Sequence, residues 1–91
     1  MTKILTPEEL NEVKLKAESL GFEGRVLTNY AVFRKKFNEL SMIQVSYDVV
    51  NGIPYTEIHS GSLSLVADEV DEFEKILMQA QEIARTLAGD E

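Results

Sequence analysis

MIQVSYDVVNGIPYTEIH, residues Met42–His59, is the stretch that decides the fold. Asn51-Gly52 is the favoured two-residue turn of a β-hairpin, because both residues accept positive φ at little cost. Folding the chain about it pairs Val50 with Ile53, Val45 with Ile58 and Gln44 with His59. One face then carries Ile43, Val45, Tyr47, Val49, Thr56 and Ile58, and the other Gln44, Ser46, Asp48, Glu57 and His59. A slip of one residue would mix the two sets, so the apolar pattern fixes the register. Pro54 has no N–H to give to a ladder, which points to an edge strand or an outward-directed position.

Just upstream, Tyr30–Phe37 has two readings. As a strand turning at Asn38-Glu39, it places Val32 beside Val45 and Tyr30 beside Tyr47, leaving Phe33 on the outer face. As a helix capped by Asn29, it aligns Tyr30, Phe33, Phe37 and Leu40 on one side. The strand is preferred. A helix would have to become a strand at Ser41 with no glycine or proline between, and Tyr, Val and Phe favour a pleated surface.

Helices flank this sheet. Thr6-Pro7-Glu8-Glu9 spells a capping box with proline at the first helical position, and Leu5 and Leu10 are spaced for a hydrophobic staple across it. Leu10, Val13, Ala17 and Leu20 recur at helical spacing before Gly21, predicting a helix over Pro7–Leu20. The last helix is expected from about Asp68 to Leu87. Val70, Phe73, Leu77, Ala80, Ala84 and Leu87 form its apolar stripe, which Ile76 and Ile83 widen. Those two isoleucines also suit a homodimer interface, so the chain is expected as a monomer or homodimer. Ser62–Leu65 reads as a short strand or an extended lead-in. The fold class is therefore α+β: two layers in the order α-β-β-β-α, a three-stranded antiparallel meander with two helices packed on one face. The 91 residues form a single domain, with an ordered core over about residues 5–88 and frayed ends at Met1–Ile4 and Ala88–Glu91.

Composition narrows the chemistry. There is no cysteine, which excludes disulfides, thiolate metal sites and thiol nucleophiles. No apolar run approaches the roughly 20 residues that cross a bilayer. Met1-Thr2-Lys3-Ile4 leads into a helix start without a signal-peptide pattern, so a cytoplasmic location is expected. The formal charge of −7 is unevenly placed. Up to Val45 seven bases face six acids; from Ser46 onward ten acids face only Lys75 and Arg85.

The candidate sites follow from that asymmetry. Residues 68–74 hold five carboxylates, Asp68, Glu69, Asp71, Glu72 and Glu74, at the start of the last helix. Acids there oppose the positive end of the helix dipole, and the same acids offer an anionic surface to a basic partner. Phe33-Arg34-Lys35-Lys36-Phe37 is the opposite feature: with Arg25, its cations could contact phosphates while the aromatics stack on bases. Phe33 and Tyr55, with Val50 and Ile53, are expected as an apolar patch on the outer sheet face. His59 is the single histidine, on the outer face with Glu57, and the spacing supplies neither a second metal ligand nor a nucleophile. No phosphate-loop pattern occurs. Catalytic residues, metal and cofactor are each expected to be none.

The element order resembles that of double-stranded-RNA-binding domains. That family presents a lysine-rich start of its second helix to phosphates, whereas Asp68, Glu69, Asp71 and Glu72 stand there in this chain. The inversion argues against RNA. In size, charge and element order the chain is also similar to some small acidic phage-encoded inhibitors, including certain anti-CRISPR proteins. The expectation is a non-enzymatic protein-interaction or regulatory module that docks a partner protein through the acidic helix or the outer sheet face. The alternatives are a phage-type inhibitor mimicking nucleic acid, and a weak nucleic-acid binder using Arg25, Arg34, Lys35 and Lys36.

Overall fold

A computed structural model describes residues 4–39, 41–60 and 65–89. Helix α1 (Pro7–Ser19) leads into four strands, β1 (Glu23–Leu27), β2 (Tyr30–Lys36), β3 (Met42–Val50) and β4 (Ile53–Ser60). A single 3-10 turn over Ala67–Glu69 then opens helix α2 (Val70–Ala88). The strands form one antiparallel sheet in the order β1-β2-β3-β4. The α+β class is as expected, with four strands in place of three and therefore the order α-β-β-β-β-α. The added strand departs from the element order of double-stranded-RNA-binding domains.

The capping box of α1 forms as its sequence spells it. Glu9 N–H donates to Thr6 Oγ1 at 3.2 Å, and Thr6 N–H donates to Glu9 Oε1 at 3.0 Å. Leu10, Val13 and Ala17 turn inward, as does Leu5 ahead of the cap. Leu5 is held there because its N–H donates to the hydroxyl of buried Tyr47 at 2.9 Å, giving the tyrosine's one polar atom a partner inside the core. From the other end, α2 contributes Ile76, Ala80, Ile83 and Leu87 to the same apolar cluster as Ala31, Phe33, Ile43, Val45 and Tyr47 of the sheet. Ile76 and Ile83 are thus core residues, 1% and 0% exposed, which removes them as a homodimer interface. Ala88 closes α2 and Gly89 caps it in the left-handed region, at φ 80°. The fraying expected at residues 1–3 and 90–91, and the strand expected at residues 62–64, lie outside the described residues.

The β3–β4 hairpin has the expected register, with Asn51 and Gly52 at φ 53° and 77°. The β2–β3 register is one residue away from the expected one: Phe33 faces Val45 and Ala31 faces Tyr47. The reason is the connection. A turn confined to Asn38-Glu39 would pair Phe37 with residue 40, but the ladder ends at Lys36 and Met42 and leaves a five-residue loop. Changing loop parity moves every β2 side chain to the other face. Phe33 is consequently fully buried, and Val32 takes the outer side.

Strand β1 is the element that sequence reading missed. It pairs with β2 through a turn at Thr28-Asn29, with Asn29 in the left-handed region at φ 60°. Asparagine tolerates that conformation through its short polar side chain. Of the inward positions of β1, Gly24 has no side chain and only Val26 is apolar, so the strand shows no apolar alternation. The glycine is needed. A Cβ at Gly24 would lie 2.9 Å from both Lys14 Cγ of α1 and Phe33 Cδ1 of β2.

Candidate interaction surface

Layering sorts the charge. The helical layer, Pro7–Ser19 with Ala67–Ala88, carries ten acids against four bases, while the sheet layer, Glu23–Ser60, carries four of each. The asymmetry seen along the chain is therefore an asymmetry in space: one side of the molecule is strongly anionic and the other is balanced.

On the anionic side the five-carboxylate run divides in two. Glu69 has an internal structural role. Its Oε1 accepts from Val66 N–H at 3.1 Å and its Oε2 from Asn38 Nδ2 at 3.2 Å, tying the start of α2 to the β2–β3 loop. Nearby, Phe37 packs edge-on against Phe73 with ring centroids 5.2 Å apart. Asp68, Asp71, Glu72 and Glu74 point to solvent. Asp71, Glu74, Met78 and Glu82 follow one another at helical spacing along an open groove of about 710 Å³, which Leu20, Lys75, Gln79 and Arg85 complete. Met78 is 69% exposed in the middle of these carboxylates. Sequence reading missed this residue, because a methionine in an apolar-rich helix does not announce which side it takes. Glu82 also meets Lys16 Nζ at 3.3 Å, linking the two helices.

The sheet places the other candidates apart. Phe33, expected in the outer patch, is buried behind Gly24 and belongs to the core. Tyr55 does lie on the outer face, half-exposed and opposite Asp48, with Val50 and Ile53 exposed beyond it. Arg25, Arg34 and Lys36 share that face with Tyr30, but Lys35 does not. The β-strand alternation sends Lys35 inward, where Nζ donates to the Leu20 carbonyl at 2.7 Å and to Gln79 Oε1 at 3.2 Å. It sits 5.7 Å from the Phe22 ring centroid and neutralises the carbonyl end of α1. The expected four-cation cluster is therefore a set of three. Arg25 and Arg34 line a shallow concavity of about 500 Å³ with Glu23, Leu27, Tyr30 and Val32.

His59 Nε2 lies 3.5 Å from Glu57 Oε1, and both side chains are exposed. Among the described residues no three His, Asp or Glu side chains converge on a point that would hold a metal ion. No helix among them is long and apolar enough to cross a membrane. No family model, curated protein or solved structure matches the chain.

Proposed function

We propose that this protein is a non-enzymatic interaction module whose helical layer docks a basic partner surface. The observation that carries the reading is the separation of charge: the helical layer holds ten acids against four bases, with Met78 exposed among Asp71, Glu74 and Glu82. Carboxylates of one sign steer a cationic partner and set its orientation. Met78, losing its water on docking, supplies the adaptable apolar contact that a purely ionic surface lacks. The fitting partner is a basic protein surface with an apolar side chain at its centre. A nucleic-acid-binding groove offers that chemistry, which makes inhibition by mimicry the more specific form of the proposal.

The test compares capture by the wild type with capture by Asp71→Asn/Glu72→Gln/Glu74→Gln and, separately, by Met78→Ser. Glu69 is left intact because of its structural contacts. Wild-type capture that weakens with salt and is lost in the triple variant supports the docking surface. The same partners bound with the same affinity by both variants would refute it.

A second reading rests on the outer face, where Arg25, Arg34 and Lys36 accompany Tyr30 and Tyr55. Cations beside aromatic rings suit single-stranded nucleic acid. That reading requires a salt-sensitive shift of a single-stranded probe, lost in Arg25→Ala/Arg34→Ala. No shift at low salt ends it.

A further inference from the structure

Strand β4 ends the sheet, and among the described residues no strand lies beyond it. A two-residue turn closes on a hydrogen-bonded pair, here Val50 with Ile53, and antiparallel pairs then alternate. Tyr55, Glu57 and His59 accordingly spend their backbone groups on β3. Pro54, Thr56, Ile58 and Ser60 direct theirs outward, and the one residue with no N–H to offer, Pro54, stands at the end of that row. Among the described residues the edge from Thr56 to Ser60 is open. Such an edge is a template for another strand. Ile58 is on the core-facing side of the sheet yet 39% exposed, because Ala84 and Ala88 of α2 are small. With Thr56 and Arg85 these residues bound an open hollow of about 400 Å³.

We infer that this edge binds a second copy of the same chain, antiparallel, through a two-fold axis at Ile58. Outward-directed residues must face one another, so the axis has to pass through a residue, and few choices exist. An axis at Glu57 sets two carboxylates opposite each other. An axis at Thr56 brings Pro54 into the new ladder, and one at His59 sets two imidazoles together. An axis at Ile58 pairs Thr56 with Ser60 of the second copy, leaves Pro54 outside, and sets Glu57 opposite the second copy's His59 twice. A carboxylate directly across a ladder can accept from an imidazole N–H, whereas two like charges placed opposite each other destabilise the ladder. On the inner side the two Ile58 side chains meet and cover each other's hollow. Occupant and register are thus selected by the strand's own sequence, Thr-Glu-Ile-His-Ser.

The test uses the full chain and sedimentation equilibrium near neutral pH. The expected result is a mass of twice 10.3 kDa at high micromolar concentration. Ile58→Lys and Glu57→Lys each lower association at least tenfold, and Glu57→Lys/His59→Glu restores it. Circular dichroism checks that each variant remains folded. The chain has no cysteine of its own, so single substitutions read the register directly. Under mild oxidation Ile58→Cys forms a disulfide-linked dimer, while Tyr55→Cys and Glu57→Cys do not cross-link. A wild type that is monomeric at all concentrations overturns the inference. So does a dimer indifferent to Ile58→Lys, or preferential cross-linking through Glu57→Cys.

Discussion

Phe33 separates the observed β2–β3 register from the one its sequence invites, and Phe33→Ala makes the difference measurable. In the observed register the ring is fully buried, with Val45 across the ladder and Gly24 on its other flank. Truncation removes the ring's transfer free energy and leaves a cavity. Gly24 has no side chain to move in, and the β1–β2 backbone is held by its ladder. Such changes cost about 3–5 kcal/mol. A domain of this length holds a total of about 5–14 kcal/mol. At ~2.1 cal/mol/K of unfolding entropy per residue, a loss of ~4 kcal/mol lowers Tm by about 20 °C. In urea the midpoint falls by about 2–3 M with an unchanged slope. Tyr55→Ala, on the outer face, is the internal control and costs less than ~1 kcal/mol. Should Phe33→Ala lie within ~1 kcal/mol of wild type, Phe33 is not in the core, and both the five-residue loop and the corrected register fail with it.

Three further perturbations probe contacts that position the layers. Gly24→Ala forces a methyl group to 2.9 Å from Lys14 Cγ and Phe33 Cδ1. Lys14 can swing aside and Phe33 cannot, so destabilisation by about 1–3 kcal/mol is expected in urea unfolding. Tyr47→Phe keeps the ring and strands the Leu5 N–H. About 1–3 kcal/mol is expected from denaturation, with faster hydrogen exchange at the Leu5 amide than at core strand amides. Lys35→Met keeps the stem and removes the Nζ bonds to Leu20 and Gln79. It is expected to cost about 1 kcal/mol and to leave any nucleic-acid affinity unchanged; lost affinity would return Lys35 to the binding set.

What was legible in the sequence tracks how local its cause is. The α1 cap and the Asn51-Gly52 hairpin are each dictated within a few residues, and both formed with the expected partners. The β2–β3 register depends on the length of a loop, and Asn38-Glu39 carries a turn signal without saying how many neighbours join it. Tyr30, Val32, Ala31 and Phe33 offer apolar side chains on both faces of β2, so alternation does not choose between them. Strand β1 was illegible for a related reason. Where an ordinary strand would show an inward apolar residue it has Gly24, and the logic of that glycine lies in the distant Lys14 and Phe33. The candidate surface followed the same rule. The acidic run is plain in the chain, but the structural duty of Glu69, the exposure of Met78 and the inward turn of Lys35 all arise from tertiary neighbours.

Docking and self-association draw opposite responses from salt, and this keeps the two proposals distinguishable. A two-fold axis at Ile58 stands perpendicular to the sheet, so pairing through β4 sets the helical layers of both copies on the same side. Each brings six more acids than bases. Their repulsion opposes the dimer, and raising salt from 0.01 to 0.15 M shortens its range from about 30 to 8 Å. Dimerisation is therefore expected to tighten across that interval, since backbone pairing and the Ile58 contact are insensitive to ions. Docking of a basic partner on the same carboxylates is expected to loosen across it. A partner with two basic sites would gain avidity from the paired layers, and Ile58→Lys would remove that gain while leaving one-site affinity intact. If self-association weakens as salt rises, attraction between unlike charges elsewhere holds the copies together and the helical layers do not lie side by side. The dimer would then have a geometry other than the continuous sheet, whatever the fate of the docking surface.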